Sequence, residues 1–151
     1  PIVIRYPRGR GMMIDWEGPF EAIEIGTGVC LQEGKDIAVV SIGTIAKNVP
    51  KALEDFSTVA HYDLRFAKPL DEKLLHKICA NFNQIITIED GVKNGGVGSA
   101  ILEFMAKHNY KNSVTILGIN DNFIEHGTID ELQKINGIDS ASIRQIIQSL
   151  S

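Results

Sequence analysis

The chain has 151 residues, 44% of them hydrophobic and 23% charged, and a net charge of -4. That length holds one compact domain with a sizeable core and leaves little room for a second. The acidic balance, with a pI near 5.5, argues against a nucleic-acid binder, which would carry a basic face. In chain order, Val3 to Tyr6 is a short β-prone run that Pro7-Arg8-Gly9-Arg10-Gly11 ends, since proline and glycine break regular structure. The chain opens on Pro1 rather than Met and inside that run. From this we expect a piece cut from a longer protein. Residues 12 to 24 have mixed composition and read as a linker, so residues 1–20 divide from a domain at 21–151.

Val29 to Gln32, the turn Glu33-Gly34-Lys35-Asp36 and the apolar run Ile37 to Ile42 together predict a hairpin. Its second strand would be buried on both faces. Ile45, Val49, Leu53 and Phe56 then recur at helical spacing, with Pro50 forcing a kink or a late start. Val59 to Asp63 reads as a strand. Asp71 is placed to cap a helix whose inner face is Leu74, Leu75, Ile78, Cys79 and Phe82. Ile85 to Ile88 is a buried strand that runs into Glu89-Asp90-Gly91 and the cluster Gly95-Gly96-Val97-Gly98-Ser99. A helix follows with Ala100, Ile101, Phe104 and Met105 inward, then a strand at Val114 to Leu117 and a loop at Asn120 to Gly127. Thr128 and Glu131 have capping-box spacing, and Asp139 to Leu150 predicts the last helix. Strands alternating with amphipathic helices predict an α/β fold with a mostly parallel sheet covered on both faces, the first hairpin strand being its antiparallel member.

Cys30 and Cys79 form no CxxC pair and have no clustered histidines, which fits a reduced, cytoplasmic setting and no zinc or redox motif. No stretch resembles a signal peptide or approaches the roughly 18 apolar residues of a membrane span.

The strand, glycine cluster and helix start at Gly95 to Ser99 could cradle an anion. The spacing fails the dinucleotide fingerprint, because position 101 is Ile, and no Gly-Lys-Ser/Thr follows for a P-loop. A sharp turn with close backbone packing is the competing reading. Glu89 and Asp90 end a strand where open α/β sheets place functional groups. As strand neighbours they point to opposite faces, which favours a structural role, such as Glu89 or Asp90 holding the glycine turn through backbone N–H groups. His61, His76, His108 and His126 are scattered, and no pair has ligand spacing. His126 stands out for its place in a loop after a strand. Arg5 and Arg8 flank Tyr6-Pro7, and two guanidinium groups there could bind a phosphate bidentately.

Seven phrases, in order, carry a resemblance. They are Arg5-Tyr6-Pro7-Arg8-Gly9, Ile25-Gly26-Thr27-Gly28, Ser41-Ile42-Gly43-Thr44, Arg65 to Asp71 (RFAKPLD), Thr87-Ile88-Glu89-Asp90-Gly91, Gly95 to Ala100 (GGVGSA) and Asp121 to Gly127 (DNFIEHG). Over essentially its whole length the chain resembles the C-terminal, transketolase-like domain of the 1-deoxy-D-xylulose-5-phosphate synthases. The glycine phrase is shared with transketolases and the β subunits of 2-oxoacid dehydrogenases, whereas the first and last phrases argue for the synthases.

The resemblance implies a three-layer α/β/α fold with a five-stranded, mostly parallel sheet and one antiparallel edge strand. Residues 1–20 would be the tail of a preceding pyrimidine-binding domain. The full enzyme, a homodimeric transferase, would join pyruvate to glyceraldehyde 3-phosphate with loss of CO2. Thiamine diphosphate and Mg2+ would be held by its other domains. The chain shows no metal–diphosphate motif, so the fragment is expected to hold no cofactor and to be inactive alone. Its partners would be the remaining domains of the enzyme, with no nucleic acid or membrane. Arg8 is carried over first as a ligand for the substrate phosphate, and Arg5 second. Gly91-Val92-Lys93-Asn94 departs from the family's more apolar version.

Overall fold

The computed structural model describes residues 1–6 and 18–151. Its organising strand is β2 (Ile37–Ser41), in which every residue is buried. Such a strand needs a neighbour on each edge and a layer on each face. It pairs in parallel with β3 (Val59–Asp63), Val39 opposite His61, and with β4 (Gln84–Val92), Val39 opposite Ile86. β5 (Ser113–Ile119) extends the sheet beyond β4, and β1 (Val29–Gln32) closes the other edge against β3. The order is β1-β3-β2-β4-β5, with β1 alone antiparallel.

This corrects the predicted hairpin. β1 and β2 are consecutive but do not pair, because β3 lies between them. The intervening turn carries the chain across the start of β3, where the Lys35 and Asp36 amides donate to Thr58 O at 2.8 and 3.1 Å. Gln32 Nε2 ties the end of β1 to the same place, donating to Val59 O at 2.8 Å. The physical reason lies in burial. β2 takes two parallel partners, while β1, only partly buried, suits an edge.

Alternation along the strands divides the core in two. Ile37, Val39 and Ile86 face one layer, built from α1 (Asn48–Ala52) and α5 (Ser140–Leu150). Ala38, Val40 and Ile85 face the other, built from α2 (Glu72–Asn81) and α3 (Val97–Lys107). The expected three-layer sandwich is therefore present. Pro50 falls in the first turn of α1, after a 3-10 turn at Gly43–Lys47. There its missing N–H has no intrahelical partner to lose, so the late start is the outcome. Asp71 caps α2, its Oδ1 accepting the Leu74 amide at 2.9 Å. Thr128 and Glu131 form a complete capping box at α4 (Ile129–Ile135). Val3 to Tyr6 is not a strand: residues 1–6 have no regular structure, and Val3 is 95% exposed. Among the described residues, no strand pairs with them.

Candidate functional site

The strand order locates the crevice in which a sheet of this kind can hold a group. From β2 the chain steps to β3 on one side and later to β4 on the other. The carboxyl ends of β2 and β4 therefore splay apart at a topological switch point. Ser41, Ile42 and Gly43 line one side of it, and Ile88, Glu89 and Asp90 the other.

Glu89 and Asp90 point to opposite sheet faces, as their adjacency requires. Glu89 turns towards α3 and is buried. Its Oε2 accepts the Val97 amide at 3.0 Å and its Oε1 the Gly98 amide at 2.9 Å. α3 has no capping side chain at Gly96, so this carboxylate, brought from β4, supplies the missing acceptors and meets the positive end of the helix. The glycines make room for it. A Cβ on Gly96 would lie 2.4 Å from Glu89 Oε2, and one on Gly98 2.8 Å from Ile116 Cγ2 and Thr87 Oγ1. Gly95 has φ +76°, and its amide donates to Ser99 Oγ, which donates onward to Lys93 O. The glycine turn therefore packs tightly around an internal carboxylate, and the Val97 and Gly98 amides that would cradle an outside anion are already bound.

Asp90 turns to the other face, beside Gly43. It is bonded to Arg5, 85 positions away. The Nη1 donates to the Asp90 carboxylate and the Nη2 to its main-chain carbonyl at 3.3 Å. The structure thus brings Arg5 to the switch point and joins it to a carboxylate there. Arg8 lies outside the described residues. His126 is exposed in the loop between β5 and α4 and is not drawn into the crevice.

One constellation had no sequence signal. Ser41 Oγ lies 2.8 Å from His61 Nε2 on the α1/α5 face of the sheet. The spacing looks like that of a nucleophile and its base, but both side chains are buried, at 0% and 1% exposure. The Ser41 hydroxyl also reaches Tyr62 O at 3.3 Å, which makes this a satisfied polar pair inside the core. Burial holds the His61 pKa down to about 4. Burial also raises both thiols, with Glu33 adding to the effect at Cys30, so neither cysteine is activated.

The phrase Arg65 to Asp71 proves structural. Arg65 donates through Nε to Thr27 O at 3.0 Å and through Nη2 to Gly28 O at 3.1 Å. Asp71 Oδ2 accepts the Gly28 amide at 2.9 Å while its other oxygen caps α2. The two phrases therefore lock the entry to β1 against the start of α2. Among the described residues, no group of three or more His, Cys, Asp or Glu could hold a metal ion. No helix among them is long and apolar enough to cross a membrane. A surface groove of about 630 Å³ lies away from the crevice, between α1, α4 and the start of α5, and has mixed charge, with Lys47, Lys51, Asp130 and Arg144 in its wall.

Residues 26–143 match the family "Transketolase, C-terminal domain". The chain is 50% identical over 154 aligned positions to the 1-deoxy-D-xylulose-5-phosphate synthase of Phocaeicola vulgatus, covering 99% of the chain and 24% of that protein. It is 51% identical to the synthase of Bacteroides thetaiotaomicron, over 95% of the chain and 23% of that protein. To that of Vibrio vulnificus it is 41% identical, over 98% and 24%. The chain thus spans about a quarter of the length of these relatives. Among solved structures it is similar to a split-gene transketolase described as an inactive beta4 tetramer, with TM-score 0.77 and 27% identity over 85% of the chain and 43% of that protein.

Proposed function

The chain belongs to the transketolase C-terminal domain family, and from that membership we propose that it serves as the C-terminal domain of a 1-deoxy-D-xylulose-5-phosphate synthase. The observation that carries this reading is identity at half of all positions with a synthase across 99% of the chain. Identity to the solved transketolase is 27%, which favours the synthase over the transketolase reading. The parent is a cytoplasmic, homodimeric transferase that joins pyruvate to glyceraldehyde 3-phosphate with loss of CO2. Its product supplies isoprenoid and thiamine synthesis.

Thiamine diphosphate with Mg2+ supplies the carbanion chemistry of that parent. The residues of this domain do not fit a diphosphate, because the Val97 and Gly98 amides at the one glycine-rich helix start already hold the Glu89 carboxylate. The cofactor therefore belongs to the preceding domains, with residues 1–20 as the tail and linker and 21–151 as this domain. Alone the domain is inactive. Its role is to organise its neighbours and the homodimer. The same occupied turn removes the support for a free-standing anion-binding module.

Arg8 is the substrate contact we assign here, a phosphate ligand for glyceraldehyde 3-phosphate. A guanidinium offers paired donors matched to phosphate oxygens. Arg5 ranks second, since its charge is met by Asp90. In the full-length enzyme, Arg8→Ala should lower kcat/KM for the phosphorylated aldehyde by about a hundredfold, in line with loss of a charged bidentate contact. A non-phosphorylated aldehyde should lose little. Equal loss for both acceptors would reduce Arg8 to a residue of the fold.

A further inference from the structure

We propose that Asp90 is a positioning residue, the mooring point that holds Arg5, and with it residues 1–6, at the switch point of this domain. The functional side of this inference rests on the assignment of Arg8 as a phosphate ligand, whereas the mooring itself does not.

Three observations meet at this residue. β4 ends at the switch point, and the side chain of Asp90 leaves the sheet on the face that bears Gly43, opposite to Glu89. The grip is two-pronged: one guanidinium nitrogen meets the Asp90 carboxylate, and a second meets the carbonyl of the same residue. A side-chain contact alone would leave Arg5 free to swing, but two donors on one residue fix the plane of the guanidinium. Finally, Ile2, Val3, Ile4 and Tyr6 stand 77% or more exposed. The two contacts with Asp90 are the only hydrogen bonds that tie residues 1–6 to the rest of the described chain.

An exposed ion pair adds little to overall stability. Asp90 is 28% exposed, however, and stands at the end of a fixed strand. What such a pair can do is choose one path for a segment that otherwise has many. Arg8 follows Arg5 by three residues, so the site of Arg5 bounds where Arg8 can reach. In this arrangement the Arg5 charge is met by Asp90, which is why Arg5 ranks behind Arg8 as a phosphate ligand. Arg5 is the anchor, with its charge already compensated by Asp90.

Two measurements test this. The first is made on the 151-residue chain, whose core stands on both faces of its own sheet. Modification of arginines by phenylglyoxal is followed residue by residue by mass spectrometry. Asp90→Asn should speed the labelling of Arg5 severalfold, and Asp90→Glu should stay near the wild-type rate. Arg65, held by Thr27 and Gly28, is the internal standard and should not change. Equal Arg5 rates in Asp90→Asn and wild type would overturn the mooring.

The second is made on the full-length enzyme. Asp90→Asn should raise KM for the phosphorylated aldehyde about fivefold and leave KM for pyruvate unchanged, with Asp90→Glu restoring most of the loss. A fall in kcat with both KM values unmoved would overturn the positioning role. A wild-type parent without synthase activity would sink the proposed function, and the labelling result would still decide the mooring.

Discussion

His61 carries the clearest pH signature of any residue described. Its ring is buried among the α1/α5 core residues, with Nε2 within hydrogen-bond distance of Ser41 Oγ, which also donates to Tyr62 O. Burial without a carboxylate partner favours the neutral ring and brings the folded pKa down from 6.5 to about 4. The sign follows from proton binding. Below pH 6.5 the unfolded chain takes up a proton that the folded chain refuses, so stability falls as pH drops from about 6.5 to about 4 and is complete above that window. A difference of that size amounts to about 3 kcal/mol. His61→Gln keeps a donor for Ser41 and cannot titrate. Urea denaturation of both proteins at several pH values should show a steep loss between pH 6.5 and 4 in the wild type and a much flatter profile in the variant. Parallel profiles would mean that carboxylates, not His61, govern acid stability.

At the scale of elements, most of the sandwich was legible in the sequence. β2 reads as an apolar run, interrupted by Ser41 alone, because it is buried on all sides, and α2, α3 and α5 show helical periodicity because each covers one sheet face. The caps at Asp71 and Thr128 were visible because capping is a local event, decided within four residues. The partner of β1 was not legible. A short turn between two strand-like runs signals a hairpin, and only the burial of both edges of β2 shows that β3 must come between. The same limit applies to the crevice. Arg5 and Asp90 were each singled out, but nothing local joins residues 85 apart. A carboxylate brace for the glycine turn was readable at Glu89 or Asp90, since a carboxylate, a sharp turn and a helix start follow one another within ten residues, and the structure gives it to Glu89. That brace couples β4 to α3, so its loss should be felt by the element. Glu89→Ala would leave two amides at the first turn of α3 without acceptors, at a cost of about 3 kcal/mol. Glu89→Gln, with one acceptor oxygen left, should fall between. Urea denaturation gives the totals, and amide exchange at Val97 and Gly98 should rise in step. If Glu89→Ala is as stable as wild type, water has replaced the carboxylate and the brace is not needed.

For the whole molecule, the question is whether the two cores act as one. The sheet separates them, yet β2 feeds both, Val39 into the α1/α5 side and Val40 into the α2/α3 side. Ile143 on α5 and Ile78 on α2 are each fully buried, one on either side. Removing one methylene from a packed core costs about 1 kcal/mol. Side chains with no shared neighbour give losses that add within about 0.5 kcal/mol. Ile143→Val and Ile78→Val should therefore add in the double variant. Ile143→Val combined with Ile147→Val should not, because those side chains sit one turn apart on α5 and fill the same core. In all of these variants, fluorescence and circular dichroism should trace one coincident urea transition, since neither helical layer can leave without exposing a strand that the other layer needs. Non-additivity across the sheet would carry a definite meaning: a methylene lost on one face moves β2 itself. The carboxyl end of β2, and with it the Gly43 side of the crevice that Asp90 and Arg5 share, would then respond to packing in either core.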